Sequence, residues 1–449
     1  MDRILVTAVT VSVVLATVLA FVPLGTADGV TADSSALNGQ SDPDTSLAAS
    51  ADDGLATIEG PTDDSVAIVR SGYLARSQPQ PTENTSARLG LAPERIDRAD
   101  GETVTVDIGS SLQSDLGATA DRHEYHLVQA KYRAASEQEQ PAVLDAEIDQ
   151  LESRVEEMQT REEAAFERYS EGDLSTTEFV TELAAVHGEA HRIEMRLEGV
   201  QMLDDQRAFS DRTVALEVQL RRFQGPVRER VSDALAGTEP PLYVYVEAAD
   251  DGVVLSTIDD GQYVREAHAH WNIENDPHHR ISHGEAARQF ETLYPWAWSA
   301  GHVSTTGIGG DLLYRGYSDH QHGELTAYLD PGSENIFVEY QHLETDSMPT
   351  LQTVVADEGD LHVTVERTYA GGPALVDVGT ADAEVWIDGE HVGTTDDDGT
   401  LWIVEPRPVY HLSVTANGES TDVAIEGTPE ERLPGSESSG EELSGDDSS

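Results

Sequence analysis

Thr238-Glu239-Pro240-Pro241-Leu242-Tyr243-Val244-Tyr245-Val246-Glu247 marks the point at which the hydrophobic period of this 449-residue chain changes. Past Pro240-Pro241 the period becomes two. Tyr243 to Glu247, an Asp251-Gly252 turn and Val253-Val254-Leu255-Ser256 read as a β-hairpin. Upstream, between Ser110 and Gly237, apolar residues recur at helical spacing. Leu144, Ile148, Leu151, Val155 and Met158 step by four and three, and so do Phe179, Leu183, Val186, Ala190, Ile193, Leu197 and Val200. Pro141 suits a first helical turn, and Ser175-Thr176-Thr177-Glu178 is a capping box. The short link Ser170-Glu171-Gly172-Asp173 makes these two helices an antiparallel hairpin. An earlier helix, about Leu112 to Glu137, is expected to pack along it through Leu116, Ala120, Leu127, Ala130 and Ala134. Thr213 to Leu220 is ambiguous, because Val214, Leu216, Val218 and Leu220 alternate like a strand. A further helix runs through Val227, Val231 and Leu235 and stops at Gly237.

Downstream, Ser282 caps a helix over about Gly284 to Leu293. Strands are expected at Leu312-Leu313-Tyr314-Arg315, from Gly323 to Asp330 and from Asn335 to Tyr340, which makes an α+β layer. From Pro349 the chain is all short strands separated by Asp388-Gly389, Asp398-Gly399 and Asn417-Gly418 turns, a small β-sandwich. The expected fold class is multidomain: an N-terminal α-helical hairpin or bundle, then a helix on an antiparallel sheet, then a small all-β sandwich. The expected divisions are a leader or anchor at 1–27, an acidic linker at 28–82, a helical domain at 83–237, an α+β domain at 238–346, the sandwich at 347–428 and an acidic tail at 429–449.

Composition bounds the setting. Asp and Glu number 85 against 27 Lys and Arg, a formal charge of -58, and every cation except Lys131 is an arginine. In molar salt the Debye length falls to about 3 Å, so this self-repulsion is screened while the carboxylates hold water at the surface. The pattern resembles proteins of extremely halophilic archaea. Apolar periodicity over most of the length excludes a wholly disordered acidic chain, and the charge excludes a nucleic-acid binder. Met1-Asp2-Arg3 precedes an apolar run from Ile4 to Leu24 and the small residues Gly25-Thr26-Ala27, as in a secretory leader. About 20 apolar residues also span a bilayer, so the run either is cleaved or stays as the only membrane contact. The expected location is extracellular or at the cell surface. There is no cysteine, hence no disulfide, lipid anchor or thiolate site. The linker is too poor in large apolar groups to fold, apart from Val66-Ala67-Ile68-Val69 as a possible added strand. Asn84-Thr85-Ser86 fits the N-glycosylation pattern.

The segment from Ile281 to Ala287, with Leu325 to Ser333, resembles the helix start and final hairpin of PepSY-type domains, which implies an inhibitory or binding module. Val385-Trp386-Ile387-Asp388-Gly389, Val392 to Asp396 and Asp398 to Leu401 are similar to the PEGA and carboxypeptidase-regulatory-like modules of extracellular proteins, which implies a spacer or adhesive unit. The whole layout resembles an uncharacterised family of exported haloarchaeal proteins.

Nine of the 16 histidines fall between His268 and His342. His268-Ala269-His270 and His320-Gln321-His322 place imidazoles at i, i+2, on one face of a strand. Together His268, His270, His320 and His322 are the candidate ligands for Zn or Cu. The opposing reading is that histidine occupies surface positions in a chain nearly devoid of lysine. His187-Gly188-Glu189-Ala190-His191 lacks the metalloprotease order, and both histidines are expected to flank the seam, partly exposed. Asp396-Asp397-Asp398-Gly399 lacks the Glu of an EF-hand and reads as a turn. With no G-x-S-x-G, P-loop or dinucleotide fingerprint, the expectation is an exported envelope protein that binds or spaces, without catalytic residues or a cofactor. Its expected partners are envelope proteins or surface glycans. The alternative is a metal-binding protein or metal-dependent hydrolase using the middle domain.

Overall fold

Helix α2 (Gln140–Ser170) starts on Pro141, and α3 (Thr176–Leu203) starts on a reciprocal Ser175–Glu178 capping box. They run antiparallel: Arg161 pairs with Glu182, Arg154 with Glu189 and Arg196 with Glu147. The computed structural model describes residues 78–79, 82, 84–204, 207–274, 280–358, 361–407 and 409–426. The expected leader, the patch at 66–69, nearly all of the linker and the acidic tail lie outside the described residues. Among the described residues, no helix is long and apolar enough to cross a membrane.

Asp107 accepts hydrogen bonds from the Gly109 and Ser110 N–H groups and so starts α1 (Ile108–Ala134) a turn earlier than expected. The ambiguous segment is helix α4 (Ser210–Leu220). Its buried residues are Thr213, Leu216 and Leu220, at steps of three and four, as a helix with one buried side requires. α5 (Pro226–Ala236) ends on Gly237, whose φ of 71° suits glycine.

One antiparallel sheet of eight strands follows: β1 (Arg98–Val104), β2 (Leu242–Ala249), β3 (Gly252–Asp259), β4 (Gln262–Ala269), β5 (His302–Ile308), β6 (Leu313–His320), β7 (Gly323–Asp330) and β8 (Asn335–Glu344). Their spatial order is β1-β2-β3-β4-β8-β7-β6-β5. The helical layer covers one face, where Phe166, Phe179, Leu183, Val227 and Val231 meet Val244, Val246, Leu255 and Val264. The other face is covered by α6 (His283–Leu293), α7 (Pro295–Ala300) and the extended chain around Leu89. Each layer buries an apolar face it cannot bury alone.

Helices and sheet share one hydrophobic core on the two sides of residues 237 and 238. β1, assigned from sequence to the helical domain, hydrogen-bonds to β2 along its whole length. Its residues, Arg98-Ala99-Asp100-Gly101-Glu102-Thr103-Val104, bury only Val104 fully and expose only Ala99, the rest being half-buried at the edge of the sheet. Leu116, Ala120, Leu127, Ala130 and Ala134 of α1, expected against the hairpin, are exposed instead.

The C-terminal unit is two four-stranded sheets. β9 (Gln352–Glu358), β10 (Leu361–Arg367), β11 (Pro373–Asp377) and β14 (Thr400–Val404) form one. β12 (Glu384–Ile387), β13 (Glu390–Thr394), β15 (Tyr410–Ala416) and β16 (Glu419–Ile425) form the other. Val363, Val376, Val385, Leu412 and Val414 lie between them. Positive φ at Asp388-Gly389 and Asn417-Gly418 makes the tight turns. The unit docks on the large sheet: Tyr263 Oη donates to the Gly371 carbonyl (2.9 Å), and Tyr245 Oη accepts from the Arg407 N–H (3.1 Å).

Candidate functional site

Alternate residues of β4 face the helices, which carries Glu266 and His268 under the start of α5. Gly225 precedes α5, and a Cβ there would collide with the Glu266 carboxylate. Glu266 Oε2 accepts from the backbone N–H groups of Val227 (2.9 Å) and Arg228 (3.3 Å), the unpaired donors of a helix start. Arg228 Nε donates to Glu266 Oε1 (3.0 Å) and Arg228 Nη1 to Glu162 Oε1 on α2 (2.7 Å); all three side chains are fully buried. Burial opposes ionisation of Glu266, yet Arg228 and the Val227 N–H prevail and hold its pKa down to about 2. Arg228 thus ties a helix of the hairpin, the helix start of α5 and the sheet together.

His268 lies over this group. Its Nε2 is 3.5 Å from Glu266 Oε1, and neither ring nitrogen makes a hydrogen bond. Burial, then Arg228, keeps its pKa below the ordinary histidine value. His270 meets His268 edge-on at 6.0 Å between centroids, and its Nδ1 accepts from Arg222 Nη2 (3.1 Å), which leaves the proton on Nε2. Burial and Arg222 hold His270 well below the usual value. Glu162 Oε2, without a hydrogen bond, stands 3.8 Å from both Arg222 Nε and His270 Nδ1. On α3, half-buried His187 accepts the Gly225 N–H on Nδ1 (3.3 Å), and burial drives its pKa to about 4. Beside Arg222 and His270 opens a cleft of about 640 Å³, walled also by Gln159, Glu163, Trp271 and Arg280.

His320 and His322 are elsewhere. They flank Trp296, with His322 stacked on it and His320 edge-on. The His322 N–H donates to His320 Nδ1 (3.3 Å), and burial, then His322, lowers the His320 pKa to about 4. His320 is opposite Gly323 and Gly323 opposite Leu343, whereas His268 is opposite Val338. Five residues along the strands and three strands across separate the two pairs by about 20 Å. The expected four-histidine metal centre is therefore not assembled, and among the described residues no group of three or more His, Asp or Glu is placed to hold a metal ion. His278 and His279 lie outside the described residues. His191 is exposed, 4.0 Å from Glu194. Asp396 binds the N–H groups of Asp398 and Thr400 in its own turn, and those bonds lower its pKa. Asn84 is exposed in a left-handed bend with φ of 63°, its carbonyl 3.1 Å from His322 Nε2.

Sequence reading missed Glu162, Arg228 and Glu266, although a signal existed. Glu162 follows Met158 by four on the buried stripe of α2, and Arg228 sits among Val227 and Val231. A second buried pair on the opposite face was missed too. Glu339 accepts from Arg265 Nη1 (3.0 Å), the Leu89 N–H (2.7 Å), Tyr294 Oη (2.6 Å) and Gln341 Nε2 (2.9 Å).

Three family models match consecutive parts of the chain. A domain of unknown function (DUF7096) matches residues 1–240, a family of unknown function (DUF7094) residues 244–349, and an archaeal fibronectin-III type-like domain residues 352–423. No curated protein and no solved structure matches the chain.

Proposed function

We propose that this chain, which belongs to the DUF7096 family, is an exported envelope protein of a halophile that works by binding or spacing rather than by catalysis. One observation carries the reading: Glu266 and Arg228 at the helix–sheet junction are paired with each other, although Glu162 Oε2 and Arg228 Nη2 lack hydrogen-bond partners. Glu266 accepts two backbone N–H groups and a guanidinium, Arg228 bridges it to Glu162, and the nearby histidines are held uncharged. A general acid or base needs a pKa near the working pH and access to substrate, and Glu266, at about 2 and fully buried, has neither. The apolar run from Ile4 to Leu24 supports export, and the acid excess supports a salty medium. The fibronectin-type match and the PepSY-type likeness of the middle region support a binding or spacing role toward envelope proteins or surface glycans.

Protease shaving of intact cells in molar salt tests the reading. The chain should be digested from outside, with either a new N-terminus near residue 28 or a retained membrane anchor. A chain protected until lysis and recovered from the cytosol contradicts it.

A second reading, metal binding, has its own support: His268 Nδ1 and Nε2, His270 Nε2, His320 Nε2 and His322 Nδ1 all lack hydrogen-bond partners. Elemental analysis of the chain purified in molar KCl separates the two. Stoichiometric Zn or Cu lost on His320→Ala with His322→Ala favours the metal; folded, metal-free protein rules it out.

A further inference from the structure

α1 carries apolar residues on both of its sides. Its inner side sets Tyr125, Val128 and Tyr132 beside Asp121, which accepts from Arg154 Nη1 (2.5 Å), Arg192 Nε (2.9 Å) and Arg196 Nη1 (3.2 Å), and only Asp121 and Val128 are buried. Its outer side carries Ile108, Leu112, Leu116 and Leu127, exposed by 72%, 57%, 70% and 46%. Positions 108, 112, 116, 119, 123, 127 and 130 step by four and three, so these residues share one stripe. Twenty-two steps of 1.5 Å from 108 to 130 make it about 33 Å long. Near Leu127 it runs into an apolar groove of about 620 Å³ against the start of α2, floored by Val128, Ala142, Val143 and Ala146. Met195 and Met202 of α3 are exposed as well.

Charge sets α1 apart in the same way. Its three acids (Asp115, Asp121, Glu124) and three bases (Arg122, Lys131, Arg133) cancel, 3 − 3 = 0, in a chain of net charge -58, and it holds the only lysine. Two copies repel across their acidic surfaces, and the neutral helix that carries this stripe adds no net charge to that repulsion.

We propose that the outer face of α1 is a self-association surface whose occupant is α1 of a second copy, packed antiparallel across a two-fold axis. Centred near Thr119, such pairing brings His123 of one copy to the level of Asp115 of the other. The stripe alone covers roughly 330 Å² per copy, below the roughly 800 Å² of a standard interface, so the groove and the exposed methionines complete the contact. Association of this modest size is concentration-dependent. Salt strengthens it, because salt screens the repulsion and favours apolar burial.

Light scattering on the full chain in molar KCl tests the proposal. The mass should rise with concentration from 48.5 kDa toward twice that value. Leu112→Glu with Leu116→Glu should return it to the monomer with an unchanged circular dichroism spectrum. A monomer at every concentration overturns the proposal, and so does a dimer that the double variant leaves intact. Flotation with phosphatidylglycerol vesicles completes the test: a monomer that floats through α1, and sinks when Leu112 and Leu116 are replaced, overturns self-association in favour of a lipid surface.

Discussion

α1 and α3 are neighbouring helices of 27 and 28 residues that run in the same direction, and they solve the burial problem in opposite ways. α3 buries Leu183, Val186, Ala190, Ile193, Leu197 and Val200 and leaves mostly polar residues outside, with Met195 and Met202 among them. α1 buries a carboxylate among three arginines and leaves its leucines outside. Apolar periodicity says which residues share a stripe. Only the partner decides which way the stripe faces.

The largest effect is expected where a buried charge loses its counterion. Arg228→Met strands Glu162 and Glu266 and should cost about 3–5 kcal/mol in urea unfolding. Leu197→Ala on α3 should cost about 2–5 kcal/mol through transfer and cavity terms. Asp121→Asn, which weakens charge-assisted bonds at a site still touched by water, should cost about 1.5–3 kcal/mol. If Asp121→Asn proved harmless while Leu116→Ser crippled the monomer, the assignment of inner and outer faces would be wrong.

Acid sharpens the comparison, because α3 carries His187. Its folded pKa of about 4 lies below the ordinary value of 6.5, so between those values the unfolded chain binds the extra proton. Stability is complete above pH 6.5 and declines as pH falls to about 4, by about 1–2 kcal/mol for this half-buried group. His268, His270, His320 and His342, all lowered by burial, act in the same direction. His187→Asn keeps an acceptor for the Gly225 N–H, and its urea midpoint should be less sensitive to pH over that window. The smallest effect belongs to Leu116→Ser, within about 0.5 kcal/mol for the monomer.

Much of the fold was legible in local chemistry. The Ser175–Glu178 box, the two seams of the hairpin, the Ser282 cap and the Asp-Gly and Asn-Gly turns each depend on residues a few positions apart. β1 was not legible, since a polar edge strand around Gly101 is recognised only once β2 lies beside it. Glu162 and Glu266 were missed for a related reason: their partner Arg228 is 66 and 38 residues away in sequence, and a charge at a core position makes physical sense only beside its counterion. The histidines stood out by number, yet spacing gave no sign that the ends of β4 and β6, where the two pairs sit, lie far apart.

Hydrogen exchange on the full chain in molar KCl tests most directly whether helices and sheet are one body joined through Arg228. The amides of α3 and of β4 should open together, at the free energy of global unfolding. If α2 and α3 open well below β3 and β4, the junction is a contact between independent domains, and the committed ion network does not hold the layers together.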